Sequence, residues 1–160
     1  MNNLTQKEKT LLQDQKKNEE ICIKKYNDYS NQAQDPQLKQ IFNSNAQQEQ
    51  QHLDTINQIM SGQVPNMNQN QQQQVQQGTQ SQSTQGQQSA SVGVGSNSDA
   101  DLCNDILMTE KYVSGAYDTA IFEFSNANLR QTLNHIQKEE QQHGESVFKY
   151  MENKGLYNPQ

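Results

Sequence analysis

Apolar residues recur along this chain at intervals of three and four, and nowhere alternate with polar ones over the length of a strand, so the chain reads as all-α. Four stripes stand out. The first lines up Leu12, Cys22, Ile23 and Tyr26, and the second Phe42, Ala46, Leu53, Ile56 and Met60. The third lines up Ile106, Leu107, Val113, Tyr117 and Ile121, and the fourth Leu133, Ile136, Val147 and Met151. Helix punctuation separates them. Thr5 and Glu8 have the spacing of a capping box, which opens a helix running to about Gln32. Asp35 and Pro36 supply an N-cap and a first-turn proline for a second helix, which Ser61, Gly62 and Pro65 stop near Met60. A third helix opens near Ser98 to Asp101, with acidic residues at the positive end of the helix dipole, and breaks near Ser125 and Asn126. A fourth runs from about Ala127 to Asn153, where Lys154 and Gly155 end it. One buried stripe on each of four helices predicts a four-helix bundle.

Composition changes the picture between the second and third stripes. The chain holds 30 Gln among 160 residues, 13 of them between 61 and 98, and that stretch carries no charged residue. Such a segment cannot bury enough apolar surface to offset its ordering entropy, so disorder is expected there. The layout is then an N-terminal hairpin at 5–61, a linker rich in Gln, Ser and Asn at 62–98, and a C-terminal hairpin at 99–155. A linker of that length spans a bundle of roughly 38 Å, so the second and third helices are free to run parallel, as in ferritin-like bundles.

Several classes fall away. Only 30% of the residues are apolar and there is no Trp, so the core is thin for a large enzyme. The net charge of -6 lacks the basic stripe of a nucleic-acid binder. No run of 18 apolar residues offers a membrane span, and the polar start predicts no signal peptide. Cys22 and Cys103 lack the spacing of a metal or redox motif; two reduced thiols are expected, with a disulfide as the alternative.

The two hairpins repeat one another. At a constant offset of 91, residues 11–60 match 102–151 at 12 of 50 positions without a gap, among them Glu19/Glu110, Tyr26/Tyr117, Glu49/Glu140 and His52/His143. A duplicated helical hairpin accounts for this. Glu49 and His52, like Glu140 and His143, form a Glu-x-x-His pair whose side chains share one helix face, and that face is the apolar one. Glu19 and Glu110 lie on the apolar faces of their own helices, whereas Glu20 and Glu139 point toward the polar sides. Four buried carboxylates need compensation by cations, protons or water. One Glu from each of two helices, with Glu-x-x-His from each of the others, is the ligand set of dimetal carboxylate bundles, and its oxygen and imidazole donors suit two iron or manganese ions. The candidate ligands are Glu19, Glu49, His52, Glu110, Glu140 and His143. Tyr26 and Tyr117 are core aromatics or outer hydrogen-bond partners of these ligands. His135 falls outside the repeat and is expected at the surface.

The second hairpin also carries a resemblance. Asp101-Leu-Cys-Asn-Asp-Ile-Leu-Met, Gly115-Ala-Tyr-Asp-Thr-Ala, Asn126-Ala-Asn-Leu-Arg-Gln and the ending Tyr150-Met-Glu-Asn-Lys-Gly-Leu-Tyr-Asn-Pro resemble the spore coat protein F (Coat F) family of endospore-forming bacteria. The Lys-Gly-x-Tyr-x-Pro ending is the most specific piece, and the family commonly has Trp where this chain has Leu156. The first hairpin, with its Gln-Gln-Glu-Gln-Gln-His, resembles ferritin-like members of the group. The resemblance implies a ferritin-like fold and a place in the spore coat, among other coat proteins, after synthesis in the mother cell cytoplasm. Many such relatives lack both full ligand sets, so this chain stands closer to rubrerythrin-like bundles. It has no paired CxxC rubredoxin motif, which excludes an electron-transfer peroxidase of the complete rubrerythrin type.

Two functions follow from these features. One is a structural, non-catalytic coat component, whose linker is a spacer or a source of Gln for isopeptide cross-links. The other is a dimetal protein handling peroxide, dioxygen or iron. Dimerisation through the stripes ranks last, and the sequence leaves homo-oligomerisation open.

Overall fold

The structure is a computed structural model that describes residues 4–65 and 98–157. Four helices appear, and no strand among the described residues: α1 (Gln6–Gln32), α2 (Pro36–Met60), α3 (Asp99–Glu123) and α4 (Ala127–Asn153). The expected disorder of the Gln-rich segment concerns residues that fall largely outside the described ones.

Local chemistry sets the ends. Thr5 and Glu8 form a reciprocal capping box at α1, and Ser98 and Asp101 form another at α3. Asp35 and Asn126 cap α2 and α4 through their side chains. Gly62 and Gly155 follow the ends of α2 and α4 with φ of 87° and 67°, a left-handed turn that a Cβ would strain.

Named contacts fix the helix directions. Along α1, Glu8 meets Ser125, Glu19 meets Tyr117 and Tyr26 meets Glu110, so α1 and α3 are antiparallel. Asn45 meets Ser146, Gln48 meets His143 and His52 meets Glu139, so α2 and α4 are antiparallel too. Each hairpin also clasps the other's turn. The Glu8 carboxylate accepts from Ser125 N–H at 2.9 Å, and the Asp99 carboxylate accepts from Gln34 and Asp35 N–H at 2.8 and 3.0 Å.

The core has two apolar clusters. One contains Leu12, Ile56, Tyr117 and Leu133, and the other Tyr26, Phe42, Ile106 and Met151. The stripes are rotated slightly from the expected faces. Ile23, Leu53, Leu107 and Ile121 are half-buried. Met60 is exposed, and its neighbour Ile59 is buried instead. Both cysteines are buried free thiols.

Candidate metal centre

Six ionisable side chains are buried together: Glu19, Glu49, His52, Glu110, Glu140 and His143. All six sequence-predicted ligands therefore converge. They form two overlapping groups. Glu19, Glu49, His52 and Glu140 each present one donor atom, all within 4.8 Å of one another, and Glu49, Glu110, Glu140 and His143 do the same. Glu49 and Glu140 belong to both groups. The Glu-x-x-His helices contribute the shared carboxylates, while α1 and α3 contribute one carboxylate to one group each.

Each imidazole turns Nδ1 inward and Nε2 outward. His52 Nδ1 lies 3.0 Å from Glu140 Oε1 and 3.3 Å from Glu49 Oε2, and His143 Nδ1 lies 3.2 Å from Glu49 Oε1. Outward, His52 Nε2 lies 2.9 Å from Glu139 Oε2 and His143 Nε2 lies 3.0 Å from Gln48 Oε1. Both outer partners are acceptors, so each Nε2 carries the proton and donates. Each Nδ1 then aims a lone pair at carboxylate oxygens, which is repulsive unless a proton or a cation lies between.

Protonation is one way to supply that charge. Burial disfavours the imidazolium of His52 and of His143, but the surrounding carboxylates outweigh it and raise both above the ordinary histidine value. Burial raises Glu19 and Glu110 well above the carboxylate range, and the neighbouring Glu140 and Glu49 charges push the same way. Burial also acts on Glu49 and Glu140, yet bonding to His143 and His52 outweighs it and holds both below the usual range. Protonation of both imidazoles and of Glu19 and Glu110, and ionisation of Glu49 and Glu140, are thus the favoured directions within the cluster.

The donors fit a pair of divalent cations. Glu19 Oε2 and Glu110 Oε2 are buried without a hydrogen-bond partner, and the two Glu140 oxygens, which also lack one of good geometry, face the imidazole Nδ1 atoms of His52 and His143 at 3.0 and 3.7 Å. Such oxygens are costly unless something positive meets them. Hard carboxylate oxygens with one imidazole nitrogen per group suit iron or manganese.

Sequence reasoning left the role of Tyr26 and Tyr117 open between two alternatives and missed that of Glu139. Tyr26 and Tyr117 are buried, as core aromatics would be, but each also donates its hydroxyl across the hairpins, Tyr26 to Glu110 Oε1 and Tyr117 to Glu19 Oε1. Tyr26 accepts in turn from Asn45 Nδ2 at 3.2 Å. Glu139 does not face the polar side: its side chain is only 17% exposed and holds His52. His135, expected at the surface, has a side chain 32% exposed and places Nε2 3.4 Å from Glu139 Oε1. The four-residue spacings of His135, Glu139 and His143 on α4 were the available signal.

The fold and site define a helical bundle with a carboxylate–imidazole layer in its core. Residues 98–160, α3 and α4 with the segment after them, match the Coat F domain. A curated relative, the "Uncharacterized protein YusN" of Bacillus subtilis (strain 168), is 39% identical over 59 residues, covering 37% of this chain and 54% of the relative. The chain thus spans about half the length of the curated relative it matches. No solved structure matches.

Proposed function

We propose that this chain is a component of the endospore coat, built as a ferritin-like bundle of two duplicated hairpins with the Gln-rich segment as the crossover between α2 and α3. The observation that carries the coat assignment is the Coat F match over residues 98–160. Its partners are other coat proteins, and its site of synthesis is the mother cell. A fluorescent fusion expressed during sporulation should decorate the spore periphery; signal spread through the mother cell or the spore core overturns the reading.

A specific observation favours a second role for the same molecule, a dimetal carboxylate centre. It is the pair of overlapping four-residue groups sharing Glu49 and Glu140. Iron or manganese held by these residues would supply redox chemistry toward peroxide or dioxygen. The chain's own residues do the rest. Glu49 and Glu140, which belong to both groups, would serve both positions, and Glu19 and Glu110 would serve one each. Tyr117 and Tyr26 orient those two by donating to them. The apolar clusters bury Glu19, Glu49 and His52 away from bulk water, whereas Glu110 and Glu140 line a cavity between α3 and α4. Metal would bind these side chains in their deprotonated forms, so binding would displace any protons held on His52, His143, Glu19 and Glu110.

Anaerobic iron(II) loading followed by desalting and elemental analysis tests this. About two irons per chain are expected, one for each group, with strong loss in Glu49→Ala and Glu140→Ala. A wild-type chain that retains no metal overturns the reading and leaves the coat role standing alone.

A further inference from the structure

The two halves of the centre are related by the 91-residue offset, but their surroundings are not. His52 leans on the Glu139 carboxylate, and His143 leans on the Gln48 amide. Positions 48 and 139 are repeat partners, so the difference is one of charge on matched geometry. Glu139 itself is steadied by His135, whose repeat partner is Ser44. A carboxylate accepts an imidazole N–H more strongly than an amide oxygen does and makes the other ring nitrogen a better donor. The His52 position is therefore the stronger of the two.

A second difference lies between α3 and α4. A cavity of about 440 Å³ is lined by Leu107, Gly144 and Phe148, with buried Glu110 and Glu140 at its inner end and exposed Lys111 at its rim. Glu110 is 4% exposed, the most of the six ligands, while its repeat partner Glu19 is 0% exposed. Gly144 matches Leu53 in the first hairpin, and a Cβ on it would only touch Leu107 at 3.9 Å. The cavity thus reaches the group containing His143.

We infer that the two metal positions are inequivalent. Glu19, Glu49, His52 and Glu140 hold a resident divalent cation under the control of Glu139. Glu49, Glu110, Glu140 and His143 hold an exchangeable one that enters and leaves through the α3–α4 cavity. Glu139 and Gln48 are positioning residues that act through the imidazoles. The inference rests on the dimetal reading above.

The test is anaerobic titration of the metal-free full chain with cobalt(II), read by its d–d absorption and by equilibrium dialysis. Two classes of site are expected, separated by about 10–100-fold in affinity, the range that such an outer partner commands. Glu139→Gln should bring the tight class down to the weak one. Gln48→Glu should tighten the weak class, a gain that misfolding cannot imitate. In release to a chelator, Gly144→Leu should slow the fast-leaving ion and spare the slow one. Two equal classes in the native chain, or equal weakening of both by Glu139→Gln, overturn inequivalence while leaving the dimetal reading intact. Equal slowing of both ions by Gly144→Leu overturns the cavity route. A native chain that binds no cobalt(II) overturns the dimetal reading and this inference together.

Discussion

The apolar clusters and the ionisable layer obey opposite rules. In the clusters, Phe42, Leu133 and their neighbours are buried because leaving water favours them, at about 1.5–3 kcal/mol for each large side chain. In the layer, every group is buried at a cost, and each is tolerated only through its partners. The clusters hold the fold together, whereas the layer draws on the stability they provide. A residue's burial alone therefore does not say which of the two it serves.

A graded series of substitutions in the metal-free chain sharpens this contrast. Phe42→Ala should cost most, about 3–5 kcal/mol in chemical denaturation, from lost transfer energy and the cavity left behind. Tyr117→Phe should cost about 1–3 kcal/mol, since it leaves a buried Glu19 oxygen without its donor. Glu19→Gln should cost less than the about 1 kcal/mol of one hydrogen bond, because burial already favours the neutral form of the acid it replaces and the amide oxygen still accepts from Tyr117. The same Glu19→Gln chain should nonetheless lose metal at one position. A Glu19→Gln cost equal to that of Phe42→Ala would break the comparison.

A gentler perturbation is pH. His52 and His143 have raised values in the folded chain, so their stabilisation is complete below the ordinary histidine value of 6.5 and is lost as pH rises through the raised ones. Glu19 and Glu110, also raised, act in the same direction from 4.5 upward. Glu49 and Glu140 are lowered, so their stabilisation is present above 4.5 and lost as pH falls below it. The metal-free chain should therefore melt at progressively lower temperature as pH climbs above about 6.5. With manganese(II) present the trend should reverse, because ions replace the protons. Thermal melts across that range check both signs; parallel slopes would show that the layer does not exchange protons for metal.

Much of this architecture was readable from the chain. Caps at Thr5 and Asp35, the opening near Ser98 to Asp101, the break near Ser125 and Asn126, and the stripes between them place all four helices. Within the site, residue type and the repeat found six buried groups, because a carboxylate amid apolar neighbours at matched positions is conspicuous. The rest depended on how the helices rotate against each other. Glu139 looks solvated on an isolated α4, but the seam between α2 and α4 turns it onto His52. Tyr26 and Tyr117 sit on the same helices as Glu19 and Glu110, yet each bonds the glutamate of the opposite hairpin. Such crossed pairings follow from tertiary packing, which periodicity along one helix does not encode. The half-buried Leu53 and exposed Met60 mark the same rotation.

The mutual clasp of the turns has a consequence for how the molecule is put together. Glu8 secures the bend of the second hairpin and Asp99 the bend of the first, so each half supplies the other's fastening. None of the contacts described above involves a residue from 66 to 97, so a chain cut in that stretch is expected to keep them. Covalent continuity then serves to keep matched halves at high local concentration. Exchanging that stretch for a different sequence is expected to leave the fastenings in place.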